Sequence, residues 1–270
     1  MNRKVLLALS SLLLAGLAQA QTTPVELHQM LSLSSPEDKA VALTLDACGG
    51  AYDEALVQIL IAQRIPVTVF ATRRWIDRHP QAVAVLNAHP DLFDVQNHGE
   101  RHVAAVIGPG RMVLGVPGVP DVDHLRREVI GGARAVTKAT GRAPVWYRGA
   151  TAEYDAQALP AIAALGYRIA GFSLNADEGA TLHKTSIIRR LAHVRPGDII
   201  IAHMNRPDSD TAEALSVVLP ELRARGFRFV TLRDATVQTV AGETQLLSAQ
   251  PRGCPRSPQT NKVQTPACTP

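Results

Sequence analysis

The stretch Val41-Ala42-Leu43-Thr44-Leu45-Asp46 is a short apolar run, rich in strand-forming residues, that stops at an aspartate. Runs of the same kind recur at VTVF (67–70), LFDVQN (92–97), VWYR (145–148), YRIAGFS (167–173), DIIIAH (198–203) and FRFVTL (227–232). Amphipathic segments of helical length lie between them, near 53–63, 122–139, 155–165, 184–193 and 211–225. Strand and helix alternating in this way from Val41 to Leu232 predict a parallel α/β architecture. Seven strands over roughly 200 residues predict a distorted (β/α) barrel, somewhat short of the usual eight units.

Composition narrows the classes that remain. The chain has 270 residues, 46% of them hydrophobic and 19% charged, which is globular rather than disordered. Its first twenty residues have a positive start (Arg3, Lys4), an apolar stretch from Val5 to Leu17 and the small-residue ending Ala18-Gln19-Ala20. That pattern predicts a secretory signal peptide, cleavage after Ala20 and a periplasmic or secreted product. The apolar stretch is too short for a comfortable membrane span, so no stable membrane insertion is expected. Losing Arg3 and Lys4 lowers the formal charge from +4 to +2. The remaining arginines are dispersed and lack interleaved aromatic residues, so no nucleic-acid partner is expected.

Segment 21–38 precedes the predicted barrel domain of 39–241, and a polar, Pro-containing tail fills 242–270. In an oxidising compartment the simplest pairing within that tail is Cys254 with Cys268, which leaves Cys48 as a free thiol. Residues 103–120 are dense in Gly and Pro after Ile107 and predict an extended loop over one barrel end. Neither G-x-x-x-x-G-K-[ST] nor a strand followed by G-x-G-x-x-G occurs, so no nucleotide cofactor is implied.

In a barrel of parallel strands, chemistry gathers where the strands end. The predicted strands end at or run into Asp46, Asn97-His98, Arg148, Asn175 with Asp177, and His203. Polar groups at one end of many strands point to a convergent site. Within QNHGERH, His98 and His102 are four residues apart, which in a helical turn puts both imidazoles on one face within reach of a single divalent ion.

These segments resemble the polysaccharide deacetylases with the NodB-homology domain, carbohydrate esterase family 4, over roughly residues 39–232. VALTLDACGG stands for the family's first motif, NHGERH for the second, WYRGATAEYD for the third, NADEGATL for the fourth and DIIIAHMNRP for the fifth. The resemblance implies a metal-dependent hydrolase that removes acetyl groups from an N-acetylated glycan. It implies one divalent ion, zinc first with cobalt or nickel as alternatives, on His98 and His102. Asp46 corresponds to the general base, Arg148 to the cation that holds it, and His203 to the proton donor for the departing amine, with Asp177 orienting that ring.

Three motifs depart from the family pattern. The position after the base is usually a second, metal-binding aspartate, and here it is Ala47. Three repairs are open: Asp46 turns to the ion itself, Cys48 supplies a thiolate, or the ion keeps two imidazoles and extra water. The sequence reading prefers Asp46 with waters, and an inert thiol at Cys48 stands beside it. After Arg148 the usual Pro-aromatic turn is replaced by Gly149-Ala150-Thr151, so an aromatic wall would come from Trp146, Tyr147 or Tyr154, or these simply pack the barrel. The tryptophan usual in the fourth motif is missing, which leaves Asp177 as either an orienting partner or a turn residue. Two other functions compete: hydrolysis of another linear or cyclic amide on the same scaffold, and a catalytically silent glycan-binding module.

Overall fold

The structure, a computed structural model, describes residues 23–240. The signal-peptide reading of 1–20, the tail 242–270 and the Cys254–Cys268 pairing lie outside the described residues. Seven strands form one sheet: β1 (Ala40–Ala47), β2 (Val67–Ala71), β3 (Phe93–Asn97), β4 (Trp146–Tyr147), β5 (Arg168–Ile169), β6 (Leu174–Asn175) and β7 (Ile199–His203). Their order is β5-β4-β3-β2-β1-β7-β6, and every pairing is parallel. A short β8 (Arg228–Phe229) pairs with the amino end of β1, also in parallel. The helices are α1 (Glu54–Ala62), α2 (Arg73–Arg78), α3 (Pro80–Ala88), α4 (Val122–Thr140), α5 (Ala158–Ala163), α6 (Lys184–Leu191) and α7 (Thr211–Ala224).

All eight residues of β1 are buried, as expected of a parallel strand covered on both faces. Its side chains alternate between two cores. Val41, Leu43, Leu45 and Ala47 pack outward among residues of α1, α7 and β2. Ala40 and Ala42 pack inward against Phe70, Trp146, Ile199 and Leu232. Towards the carboxyl end the inward positions become Thr44 and Asp46. The apolar floor of the barrel therefore gives way to polar groups at its mouth.

Of the expected strand at 167–173 only Arg168–Ile169 is a strand of the sheet, and the chain then crosses to the opposite edge at Leu174–Asn175, which curls the sheet. Arg168–Ile169 pairs with β4 at one edge of the sheet, while Leu174–Asn175 pairs with β7 at the other. Ile169 and Leu174 are five residues apart, a reach of at most roughly 18 Å. The sheet must curl until its two edges lie within that reach of each other. The seam is sealed from segment 23–38: Gln29 Nε2 donates to the Ile169 carbonyl at 3.1 Å, and the Gly171 N–H donates to Gln29 Oε1 at 2.7 Å. A Cβ at Gly171 would lie 1.9 Å from the Leu27 carbonyl oxygen, so only glycine fits the closing position.

Two helices, α2 and α3, were not anticipated. The Thr72 hydroxyl caps α2 by accepting from the Trp75 N–H at 3.0 Å, and Pro80 opens α3. Among the described residues, no helix is long and apolar enough to cross a membrane.

Candidate active site

The carboxyl ends of the strands surround a cavity of 850 Å³ whose wall includes Asp46, Cys48, His98, His102 and His203. Asp46 and His203 sit directly opposite each other in the β1–β7 register.

Arg148, which follows β4, is wholly buried and holds Asp46. Its Nη1 donates to Asp46 Oδ1 at 2.9 Å and to Thr44 Oγ1 at 2.8 Å, and its Nη2 donates to the Gly171 carbonyl at 3.0 Å. The guanidinium also lies 4.2 Å from the centre of the Phe70 ring. One side chain thus ties β1, β4 and the barrel seam together. Burial alone would raise the Asp46 pKa. The charges of Arg148, His98 and His203 outweigh it and hold the carboxyl below its ordinary value.

His98 and His102 come together, but not on a helix. The chain after β3 is an irregular loop in which Gly99 has φ +89° and His102 has φ +65°. Left-handed residues turn the second imidazole back towards the first, and the ring centres are 5.0 Å apart. Glu128, buried on α4, holds this loop: its carboxylate accepts from the backbone N–H groups of Arg101, His102 and Val103. Sequence reasoning missed Glu128. Its signal was a carboxylate on the buried stripe Leu125, Val129, Gly132 of an amphipathic helix, where an acid needs a reason to be.

His98 Nδ1 is 2.8 Å from the Arg148 carbonyl oxygen. A carbonyl only accepts, so Nδ1 carries the hydrogen and Nε2 offers its lone pair to the cavity. That nitrogen lies 3.5 Å from Cys48 Sγ and 3.7 Å from Asp46 Oδ2. Burial opposes the charged form of His98, but Asp46 and then Cys48 outweigh it and raise the pKa. Among the described residues, Cys48, His98 and His102 form the set whose donor atoms all lie within 4.8 Å of one another. Thiolate and imidazole are ordinary ligands of zinc and cobalt, so these residues fit a divalent ion of that type.

His203 Nδ1 is 2.9 Å from Asp177 Oδ1, and the backbone N–H of His203 donates to Asp177 Oδ2 at 2.8 Å. Thr211 Oγ1 donates to the same oxygen at 3.1 Å. Asp177 is fully buried, which places it as the partner of His203 rather than as an exposed turn residue. Burial disfavours a charged His203, yet the hydrogen bond to Asp177 and the neighbouring Cys48 raise its pKa well above the ordinary value.

The remaining expectations divide. Trp146, Tyr147 and Tyr154 are buried in the barrel cores, so they are packing residues and not a wall of the cavity. The loop 103–120 carries a small hairpin, Met112–Val113 against Val116–Pro117, and Leu114 and Val116 line the cavity mouth.

No curated protein matches the sequence. Several solved structures share the fold. A carbohydrate esterase family 4 pseudoenzyme from Bacillus anthracis is 19% identical with a TM-score of 0.60, over 74% of this chain and 66% of that one. A peptidoglycan N-acetylglucosamine deacetylase is 19% identical with a TM-score of 0.61, over 76% of this chain and 89% of that one. A family 4 acetyl xylan esterase from Clostridium thermocellum, in complex with a cobalt ion, is 21% identical with a TM-score of 0.59, over 72% and 89%. The family model for polysaccharide deacetylases matches residues 34–170, just over half of the chain. That span carries Asp46, Cys48, His98, His102 and Arg148 at or just beyond the carboxyl ends of strands in one curled parallel sheet, and the chain belongs to the polysaccharide deacetylase family.

Proposed function

We propose that the protein is an exported, metal-dependent hydrolase that removes N-acetyl groups from a polysaccharide or oligosaccharide, of the peptidoglycan, chitin-like or exopolysaccharide kind. One observation carries this reading: Asp46, held from behind by Arg148, the His98–His102 pair, and His203, held from behind by Asp177, line the same cavity. The cobalt-bound esterase and the peptidoglycan deacetylase of like fold support it, as does the signal-like pattern of residues 1–20.

A divalent ion, zinc or else cobalt or nickel, would be held by His98 and His102 with a third donor from the end of β1; it supplies acidification of a water and polarisation of the acetyl carbonyl. The rest falls to the side chains. Asp46, kept ionised by Arg148, takes the proton of the attacking water. His203, kept protonated by Asp177, gives a proton to the departing amine, without which an amide does not cleave. Asp177 fixes the ring so that Nε2 faces the cavity.

The test is acetate release from chitooligosaccharides and from peptidoglycan by metal-replete protein, beside acid or ammonia release from small linear and cyclic amides. Turnover of the small amides alone would replace the glycan reading with that of another amidohydrolase, for which Gly149-Ala150-Thr151 in place of the Pro-aromatic turn speaks. A second reading, a silent glycan-binding module, is favoured by Ala47: its methyl is buried in the outer core and has no donor atom. Folded protein that takes up no metal and still binds glycan would establish that reading instead.

A further inference from the structure

We infer that Cys48 is the third protein ligand of the ion, so that the centre is a thiolate with two imidazoles and Asp46 stands outside it as the base. This rests on the metal-dependent reading above and names the donor that reading leaves open.

Strand geometry makes the exchange. Side chains along β1 alternate, so position 47 faces the outer core while position 48, just past the strand, returns to the face of Thr44 and Asp46. The donor missing at Ala47 is therefore replaced one residue later on the side that reaches the cavity. Zinc–sulfur and zinc–nitrogen bonds of ordinary length at tetrahedral angles hold their two donors about 3.6 Å apart. Cys48 Sγ and His98 Nε2 are 3.5 Å apart.

The turn that carries Cys48 is tethered by neighbouring protein groups. Thr72 Oγ1 donates to the Cys48 carbonyl and Arg78 Nη1 to that of Gly49. His79 Nε2 lies 2.9 Å from the Gly50 carbonyl oxygen, and Trp75 Nε1 donates to Ala51 at 2.9 Å. Four consecutive carbonyls are thus bound by α2 and its two caps. Support of this kind is what a ligand needs to be aimed, and an inert packing thiol needs none of it.

The arrangement also separates two roles that one carboxylate cannot fill at once. Asp46 Oδ1 is engaged by Arg148, and with sulfur on the ion its other oxygen is left for the proton of the water. A thiolate adds charge to the centre and selects zinc, cobalt or cadmium over magnesium and manganese.

The experiment is cobalt substitution of the full chain, read by absorption. Cobalt bound through Cys48 gives an intense near-ultraviolet sulfur-to-cobalt charge-transfer band. Cys48→Ser should abolish that band and weaken cobalt binding by at least about 100-fold, while Cys48→Asp should recover binding without the band. The wild-type spectrum needs no variant to fold. Visible cobalt bands that depend on His98 but come without a charge-transfer band would overturn this inference and leave the metal-dependent reading standing. A band that persists in Cys48→Ser would overturn it too, because the sulfur would be elsewhere. No cobalt or zinc uptake by folded wild-type protein would overturn both.

Discussion

Glu26 and Glu153 face each other where Val25–Glu26 pairs antiparallel with Ala150–Tyr154, and both line the cavity. Burial, and then the charge of Glu153, raise the Glu26 pKa from 4.5 to about 7. A carboxyl whose folded pKa lies above its unfolded one binds its proton more tightly in the folded state. Stability is then fully present below the unfolded value and is lost as pH rises through the folded one. At face value the two pKa values correspond to about 3 kcal/mol. Glu26 is only half-buried, and solvent screening leaves about 1–2 kcal/mol of that. Glu26→Gln removes the ionisation and keeps the shape. It is expected to stabilise the protein at pH 8 by that amount, about 2–8 °C in Tm for a domain of this size, and to change it little at pH 5. Thermal melts of both proteins at the two pH values read the difference directly. A Glu26→Gln protein that is less stable at pH 8, or that differs from wild type equally at both pH values, would refute the reasoning.

Asp46→Asn and His203→Ala should each lower acetate release by about 100-fold or more while a cooperative melt remains; substantial activity in either variant shows that its side chain is not the base or the proton donor. Glu128→Ala leaves the N–H groups of Arg101, His102 and Val103 without their acceptor, and zinc affinity should fall about 10–100-fold, as measured by competition with a chelator. Unchanged affinity would mean that the histidine loop holds its shape without Glu128. Gly171→Ala drives a methyl into the Leu27 carbonyl at the seam and should cost about 1–3 kcal/mol in a denaturant titration; a neutral result would show that the seam yields more easily than its packing implies.

The parallel architecture was legible because strands such as β1 are nearly continuous apolar runs as far as Asp46, the pattern of a strand covered on both faces. The split at 167–173 was not. An apolar run looks the same whether it pairs with one edge or crosses between two, and only Gly171 against Leu27 marks the crossing. The helices α2 and α3 carried local signals, the Thr72 cap and Pro80 at the first position, but the first is six residues long and rich in charge, so periodicity had nothing to register. In the site, residue types were visible and their means of assembly were not. The spacing of His98 and His102 was read as a helical turn, whereas the rings meet through left-handed backbone at Gly99 and His102. The same spacing can be met by two geometries, and only contacts from α4, distant in sequence, select the second.

That selection bears on what a departure from a family pattern means. Ala47 read alone is a lost ligand, and a lost ligand points to a lost activity. Position 47 belongs to the outward row of β1, with Leu43 and Leu45, and the residue that reaches the mouth is the next one. A turn built only to link β1 to α1 would leave its carbonyls to water, since loops run over the surface. Here α2 and its caps hold all four of them from Cys48 to Ala51. Tethers of that density set the position of the one side chain on the turn that carries a donor atom. A silent module would have no use for them, because its glycan contacts need no thiol held 3.5 Å from an imidazole nitrogen. The scaffolding around Cys48 therefore weighs towards a working centre, and the loss at Ala47 marks a change of ligand.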